Sequence, residues 1–504
     1  MTFLLVTGRN AAEAVIRTAK SLSPPARVLV SPVDVASFLT PEIILASLKD
    51  TDKKGISHII VPGTVKGDLS IVSEKTGILC YKGPRSVYDL PAVLEKYLAG
   101  SIKLSPVEPA DDVLGKKSSS DVRRELKKAY GRSVKYTHKI GKKKPVYLPA
   151  GIGRIVAEIN DAPLLSTEEL EKRASYLYAS GASIIDLGMI LGIDNSKRLS
   201  GIIDIVRSVV DVPLSVDSLN SKEILAAADA GIDLVLSIDM RNYELLSSLE
   251  IPAVVIPRDI KGTVPVRAKE RVLLVEKIIE KSGGGKKLIA DMILNPLNSG
   301  YSESLKAYML FRERNPETPM MLGAGNVTEL LDADSGGVNA LLAGFASEQG
   351  IDLLFSVEAS PKTRGSVREL STAAEMMYLA KKRAIAPKDL GIDLLVLKDK
   401  KKRSEDDMGA IGVHEACARK TIGSALEDSS FRIYANECIN AVYYKGDKPL
   451  LRITGGSAEG IYSEILSRGL TKDPSHAAYL GKELSKAVIA LLLGKEYVQD
   501  RDLF

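Results

Sequence analysis

From Gly153 to about Ile385 the chain repeats one pattern eight times: a short apolar run, then a stretch that in most cases has helical periodicity. The runs are "RIVAEIND", "SIIDLGM", "PLSVDS", "DLVLSID", "PAVVIPR", "KLIADMIL", "PMMLGAG" and "DLLFSVE". Between them lie patterns such as "STEELEKRASYLYASG", "VRAKERVLLVEKIIEKS" and "YSESLKAYMLFRERNP". In the first of these, Leu170, Ala174, Leu177 and Gly181 fall on one face, as a helix packed on a core requires. Eight such units in roughly 230 residues match the count and size of a (β/α)8 TIM barrel. An open doubly wound sheet is the alternative, because eight strands could also lie flat.

The 504 residues exceed one core, and the flanks read as further domains. Residues 1–105 alternate strand and helix ("TFLLVTG", "AAEAVIRTAKSL", "ARVLVSP", "TPEIILASLKD", "SHIIVPG", "GILCYKGP", "YDLPAVLEKYLAG"), which predicts a Rossmann-like α/β domain with both sheet faces covered. Its turn "VTGRN" (Val6 to Asn10) follows a strand and opens a helix, where an anion could rest on free amides. Residues 106–152 form a basic linker, and "RRELKKAYGRSVKYTHKIGKKKP" (Arg123 to Pro145) carries much of the net charge of +5. A solvated linker, or a basic helix on an acidic neighbour, is favoured over a nucleic-acid tail. No zinc-finger spacing and no run of exposed aromatics accompanies it. The barrel occupies 153–388. Residues 389–504 form a small α+β domain with a hairpin ("NAVYY", "KGDK", "PLLRITGG") and a last helix capped at Asp473-Pro474. Tight packing is the expected use of the glycines in "ITGGSAEG".

No apolar run approaches the roughly 20 residues that span a bilayer, and "MTFLLVTGRN" has no secretory character. The three cysteines, Cys80, Cys417 and Cys438, make neither a disulfide framework nor a zinc spacing. They fit a reducing compartment, so a cytoplasmic protein without a membrane partner is expected.

In a TIM barrel, polar residues at the strand C-termini converge on one open mouth. Here those ends carry Glu158, Asn160 and Asp161; Asp186; Asp217; Asp239; Arg258; Asp291 and Asn295; Asn326; and Glu358. So many carboxylates repel one another unless something with donors or positive charge fills the space. None of the histidines, His58, His138, His414 and His476, lies in the barrel, and neither does any cysteine. That argues against a histidine zinc site or a Ser-His or Cys-His nucleophile there. Magnesium held by carboxylates and ligand phosphate stays open. So does an uncharged heterocycle rich in N–H donors. A pteridine is one, since its 2-amino group and N3–H pair with a single carboxylate.

"EINDAP", "GASIIDLG", "VPLSVDS" followed by "AAADAGIDLV", and "LIADMILNPL" resemble, in order and spacing, the motifs of dihydropteroate synthase and related pterin-binding enzymes. "GAGNVTELLDADSGGVNALLAGFASEQGID" is similar to the seventh-strand region of pterin-binding methyltransferases. With its N-terminal domain and "HAAYLGKEL" tail, the chain resembles an archaeal dihydropteroate synthase-related family along its whole length. The resemblance implies pterin-binding aspartates at Asp217 and Asp291, and an asparagine, Asn160, that binds magnesium or pyrophosphate. It implies a methyltransferase-type asparagine at Asn326 and a more structural aspartate at Asp186. Asp186, Asp239, Asn326, Glu358, Lys362 and Arg364 are expected around the substrate, the last two where the family places a basic anion-binding group. The sequence departs from the family at two strands. The fourth offers Leu236, Ser237 and Asp239 in place of an asparagine. The seventh carries "GAGN" where synthases have Ser-Arg-Lys.

The resemblance implies condensation of a dihydropterin methyl diphosphate with an arylamine, on a path to folate or methanopterin, with Mg2+ as cofactor and a homodimer as assembly. Methyl transfer from a reduced pterin to a corrinoid is the alternative. There His414 or His476 could be tested as a cobalt ligand, although a surface or core role is expected for each. A pterin-binding protein without catalysis is the third reading.

Overall fold

The computed structural model describes residues 2–23, 25–113, 119–131, 136–283, 287–383, 386–388, 390–398 and 429–504. His414 and Cys417 fall outside them, so the cobalt-ligand expectation for His414 lies outside the described residues. In the N-terminal domain, strands β1 (Phe3–Thr7), β2 (Arg27–Val30), β3 (His58–Val61) and β4 (Leu79–Lys82) form a parallel sheet in the order β2-β1-β3-β4. Alternation along β1 sends Leu4 and Val6 to one apolar layer and Phe3 and Leu5 to another, so both faces are covered. A short helix, Ser70–Thr76, stands between β3 and β4 where no helix was read, and Gly77 ends it at φ 70°. At the turn Val6–Asn10 two of the amides expected to be free are engaged: the Arg9 amide donates to Val33 O at 2.8 Å and the Asn10 amide to Asp34 O at 3.0 Å.

The segment expected to be a linker is built into the barrel. Helix Ser119–Ala129 buries Val122 and Leu126 in the main core, and its Glu125 meets Lys382 at 3.1 Å and Arg383 at 2.7 Å. In these ion pairs the acid lies on the helix and the bases on its neighbour. Strands β5 (His138–Ile140) and β6 (Val146–Leu148) pair as a hairpin. Ile140, Val146 and Leu148 are buried against Val156, Ile184, Leu234 and Leu353 of the barrel interior. His138 contacts Leu288 O through Nε2 at 3.1 Å, and the Ala150 amide donates to Asp352 Oδ1 at 2.7 Å. Each of these contacts falls at the start of a barrel strand, so the hairpin is the barrel's floor.

Eight parallel strands close the barrel: β7 (Arg154–Ile159), β8 (Ile184–Gly188), β9 (Leu214–Asp217), β10 (Leu234–Ile238), β11 (Ala253–Val255), β12 (Leu288–Asp291), β13 (Met320–Gly323) and β14 (Leu353–Val357). β14 pairs with β7, Phe355 opposite Val156, which removes the open-sheet alternative. The predicted face of helix Thr167–Ala179 is the buried one: Leu170, Ala174 and Leu177. Only a 3-10 turn, Tyr243–Ser247, links β10 to β11.

The C-terminal domain is an antiparallel sheet of β15 (Ser429–Ala435), β16 (Ile439–Lys445) and β17 (Lys448–Gly455), packed on helices Ala458–Ser467 and Pro474–Leu493. The hairpin is as read, whereas β15 was not. Asp473 caps the last helix by accepting from the Ser475 amide at 3.0 Å. His476 packs between Phe431 and Tyr479 beside Thr471 Oγ1, in keeping with a core role. Among the described residues no helix is long and apolar enough to cross a membrane.

Candidate active site in the barrel mouth

Strand register gathers the acids. Glu158 lies opposite Asp186, Asp186 opposite Ser215, and Gly188 opposite Asp217 on adjoining strands. Ser215 Oγ donates to Asp186 Oδ1 at 2.5 Å, while the buried Oδ2 of Asp186 has no hydrogen-bond partner. Glu158 lies so close to Gly188 that a Cβ there would have to displace its Oε1. Ser237 Oγ donates to Asp217 Oδ1 at 2.6 Å from a left-handed backbone, φ 65°.

Asp291, at the end of β12, accepts through Oδ1 from the Ile293 amide at 2.8 Å and from the Tyr308 hydroxyl. Ile293 has φ 58°, a conformation that costs a branched residue about 1–3 kcal/mol and persists only if its surroundings fix it. Arg271 does so. Its Nη1 donates to Ile293 O at 2.6 Å and to Met292 O at 3.0 Å, its Nη2 to Asn295 Oδ1 at 3.0 Å and its Nε to Pro265 O at 2.7 Å. Asn295 is therefore part of this support.

Above the acids opens a cavity of about 680 Å3, lined by Asp217, Ser237, Arg258, Asp291 and Asn326 among others. Asn326 reaches it by donating through Nδ2 to Leu294 O at 3.0 Å. One wall is the loop 189–194, anchored by the buried Glu223, which accepts at Oε1 from the Asn195 amide at 2.7 Å and from the Ser218 hydroxyl at Oε2.

Of the residues expected to form the site, the structure thus brings Asp217, Asp291 and Asn326 together. Asp186 is buried beneath Asp217 and does not line the cavity. Asn160 is half-buried at the end of β7, next to Gly188 and outside the lining. Two expectations are corrected. Asp239 is fully buried and paired with Arg241, Nε at 3.0 Å and Nη2 at 2.5 Å, so its acceptors are used within its own turn. Glu358 is likewise occupied, accepting from Tyr176 Oη at 2.9 Å and from the Val367 amide at 3.1 Å. Lys362 and Arg364 are also displaced from the expectation. Lys362 pairs with Asp332 at 2.9 Å, and the exposed Arg364 lies beside Gly494 of the C-terminal domain. Arg271 and Tyr308 were missed because they stand on helices. The one available signal was an arginine in the apolar stripe Ala268, Val272, Val275, Ile278.

Burial dominates the electrostatics. It raises Asp186 well above the usual carboxylate range, with Asp217 and Glu158 adding repulsion. Burial, then Asp217 and Asp161, push Glu158 up to about 7. Asp217 is raised by burial, against the hydrogen bond from Ser237 and the charge of Arg258. Asp291 rises by burial to about 6, opposed by Tyr308 and Ile293. The cluster therefore carries fewer than four negative charges at neutral pH, which is how it tolerates its own density. Among the described residues no three His, Cys, Asp or Glu side chains form a group that could hold a metal ion.

A family model described as "Pterin binding enzyme" matches residues 159–279. Residues 1–85 match a family of unknown function, DUF6513, and residues 428–500 match PterinBD-DUF4346. The chain is 36% identical to an uncharacterized protein of Methanocaldococcus jannaschii over 531 residues, covering 100% of this chain and 99% of the relative. Among solved structures, a Yersinia pestis DHPS with a pterine-sulfa conjugate is 17% identical, covers 48% of this chain and 99% of its own, and has a TM-score of 0.38. A Xanthomonas albilineans dihydropteroate synthase with 4-aminobenzoic acid is 16% identical, covers 48% and 96%, and has a TM-score of 0.39.

Proposed function

The chain belongs to the dihydropteroate synthase-related, pterin-binding TIM-barrel family that includes the Methanocaldococcus jannaschii protein, and from that premise we propose that it is a pterin-dependent transferase. One observation carries this reading: Asp217 and Asp291 face a single cavity, each with one oxygen fixed by a protein hydroxyl. The second oxygen of each carboxylate is the acceptor a pterin's 2-amino and ring N–H groups would engage.

The leading reaction is condensation of a dihydropterin methyl diphosphate with an arylamine, in the assembly of a folate or methanopterin skeleton. The methylene C–O bond breaks and diphosphate leaves with the electron pair. The arylamine nitrogen forms the new C–N bond and loses a proton to solvent. The pterin ring itself stabilises the electron-poor methylene, so the protein need only hold and orient. Magnesium would enter with the diphosphate, and Asn160 would help to hold it. Lys362 and Arg364 would reach the leaving group only by a rearrangement of the loop after β14. A homodimer is part of the same proposal.

The second reading is methyl transfer from a reduced pterin to a corrinoid. Asn326 in the cavity lining favours it, together with the absence of a lysine at the end of β13. Incubation of the full chain with dihydropterin methyl diphosphate, an arylamine and magnesium should release pyrophosphate. Turnover of a methylated pterin with cob(I)alamin, and no pyrophosphate, would select the second reading. Failure to bind any pterin would reject both.

A further inference from the structure

Two arginines of the barrel mouth differ in one respect. Arg271 spends Nε, Nη1 and Nη2 on four protein acceptors. Arg258 spends none: among the described residues its side chain makes no hydrogen bond and no ion pair, and its Nε is shielded from solvent without a partner. An arginine offers five N–H donors, and leaving shielded ones unpaired costs about 1–3 kcal/mol. The residue is nonetheless held in place. Its amide donates to Ile256 O at 2.9 Å and its carbonyl accepts from the Met240 amide at 3.1 Å, which directs the side chain into the cavity beside Asp217. Its charge reaches Asp217 without a bonded pair forming. The other cation in the lining, Lys222, is exposed and sits 3.7 Å from Asp194, and the end of β13 is Gly323-Ala324-Gly325-Asn326, with no cation.

We propose that Arg258 is the specificity residue of this cavity, donating to the 4-oxo group of the ligand so that 2-amino-4-oxo pteridines are selected over 2,4-diamino ones. This rests on the pterin-binding reading and adds to it an edge-by-edge match. Asp217 supplies an acceptor for the 2-amino and N3–H donors, and Arg258 supplies a donor for the neighbouring carbonyl. A 4-amino ring turns a donor toward the guanidinium and lacks the N3 proton, so two of those contacts become mismatched.

Binding of 6-methylpterin and of 2,4-diamino-6-methylpteridine to the full chain, followed by fluorescence, tests this. A charge-assisted hydrogen bond contributes about 1.5–3 kcal/mol, so the wild type should prefer the 4-oxo compound by about 10–100-fold. Arg258→Met should remove most of that preference by weakening the 4-oxo compound alone, and Arg258→Lys should restore part of it. Equal wild-type affinities, or equal losses for both compounds in Arg258→Met, would overturn the assignment while leaving pterin binding intact. If neither compound binds the wild type, the pterin reading fails first. The wild-type comparison requires no variant to fold.

Discussion

Tyr308 and the Ile293 amide share one acceptor, Asp291 Oδ1, the hydroxyl coming from helix Tyr301–Arg314 and the amide from the strained turn after β12. Both donors favour the ionised carboxylate, and both act against the burial that raises this group to about 6. Tyr308→Phe removes one of them and should raise Asp291 further. If ionised Asp291 is needed for the ligand, pterin affinity is present above this value and lost as pH falls through it. The midpoint of that loss should therefore move up by about one pH unit or more in Tyr308→Phe, given about 1.5 kcal/mol for a hydrogen bond to a charge. Affinity measured from pH 5 to pH 9 decides this, and an unmoved midpoint would detach Tyr308 from the site.

The same shift has a stability consequence of opposite sign. Asp291 is raised on folding from 3.8 to about 6, so between those values the folded chain binds the extra proton. Stability is thus lost as pH rises through this window and stays lower above it. The rise corresponds to an order of about 3 kcal/mol. In Asp291→Asn the side-chain oxygen can still accept from Tyr308 and Ile293, but no charge is buried. The variant should be more stable than the wild type at pH 8 by roughly 2–3 kcal/mol, with the gap closing toward pH 4. Urea unfolding at the two pH values measures the difference, and pterin binding should be lost throughout.

Two strand-end aspartates should respond differently to one substitution. Asp217→Asn keeps an acceptor for Ser237 but turns a donor toward the ligand, and should weaken pterin binding by about 100-fold or more with the fold intact. Asp239→Asn breaks the contacts with Arg241 away from the cavity and should cost stability with little change in affinity. Calorimetric titration and thermal melting of both variants separate the roles. A reversed pattern would move the site.

That contrast marks how far the sequence could be read. The period of the strands and their spacing established the barrel, and position at a strand's C-terminus identified Asp217, Asp291 and Asn326 as residues of one mouth. Strand position says which end of the barrel a side chain occupies, and nothing about which neighbour has claimed it. Asp239 is claimed by Arg241 two residues on, and Glu358 by Tyr176 from a distant helix. Charge density misled for a related reason. The linker segment before the barrel looked solvated because three of its apolar residues, Ile140, Val146 and Leu148, face a barrel interior that only the closed fold creates. The clearest omission was Arg271, whose place in an apolar stripe could have been noticed, but whose acceptors are backbone carbonyls without a sequence signature.

Arg271 gives the last prediction. Its guanidinium satisfies the carbonyls of Pro265, Met292 and Ile293, and through Met292 and Ile293 it holds the left-handed turn that carries the amide aimed at Asp291. Arg271→Met keeps much of the aliphatic bulk but leaves buried carbonyls unpaired, at about 1–3 kcal/mol each where water cannot reach them. A loss of at least about 3 kcal/mol in unfolding free energy is expected. Relaxation of Ile293 toward ordinary backbone angles should withdraw its amide from Asp291. Asp291 then rises as it does in Tyr308→Phe, so the midpoint of pterin binding should shift upward in the surviving folded protein too. Arg271→Lys retains the charge but cannot span three carbonyls at once, and should fall between the two on both measures. If Arg271→Met proves destabilised with an unshifted binding midpoint, the arginine supports the barrel alone, and the coupling between its carbonyl cluster and Asp291 is absent.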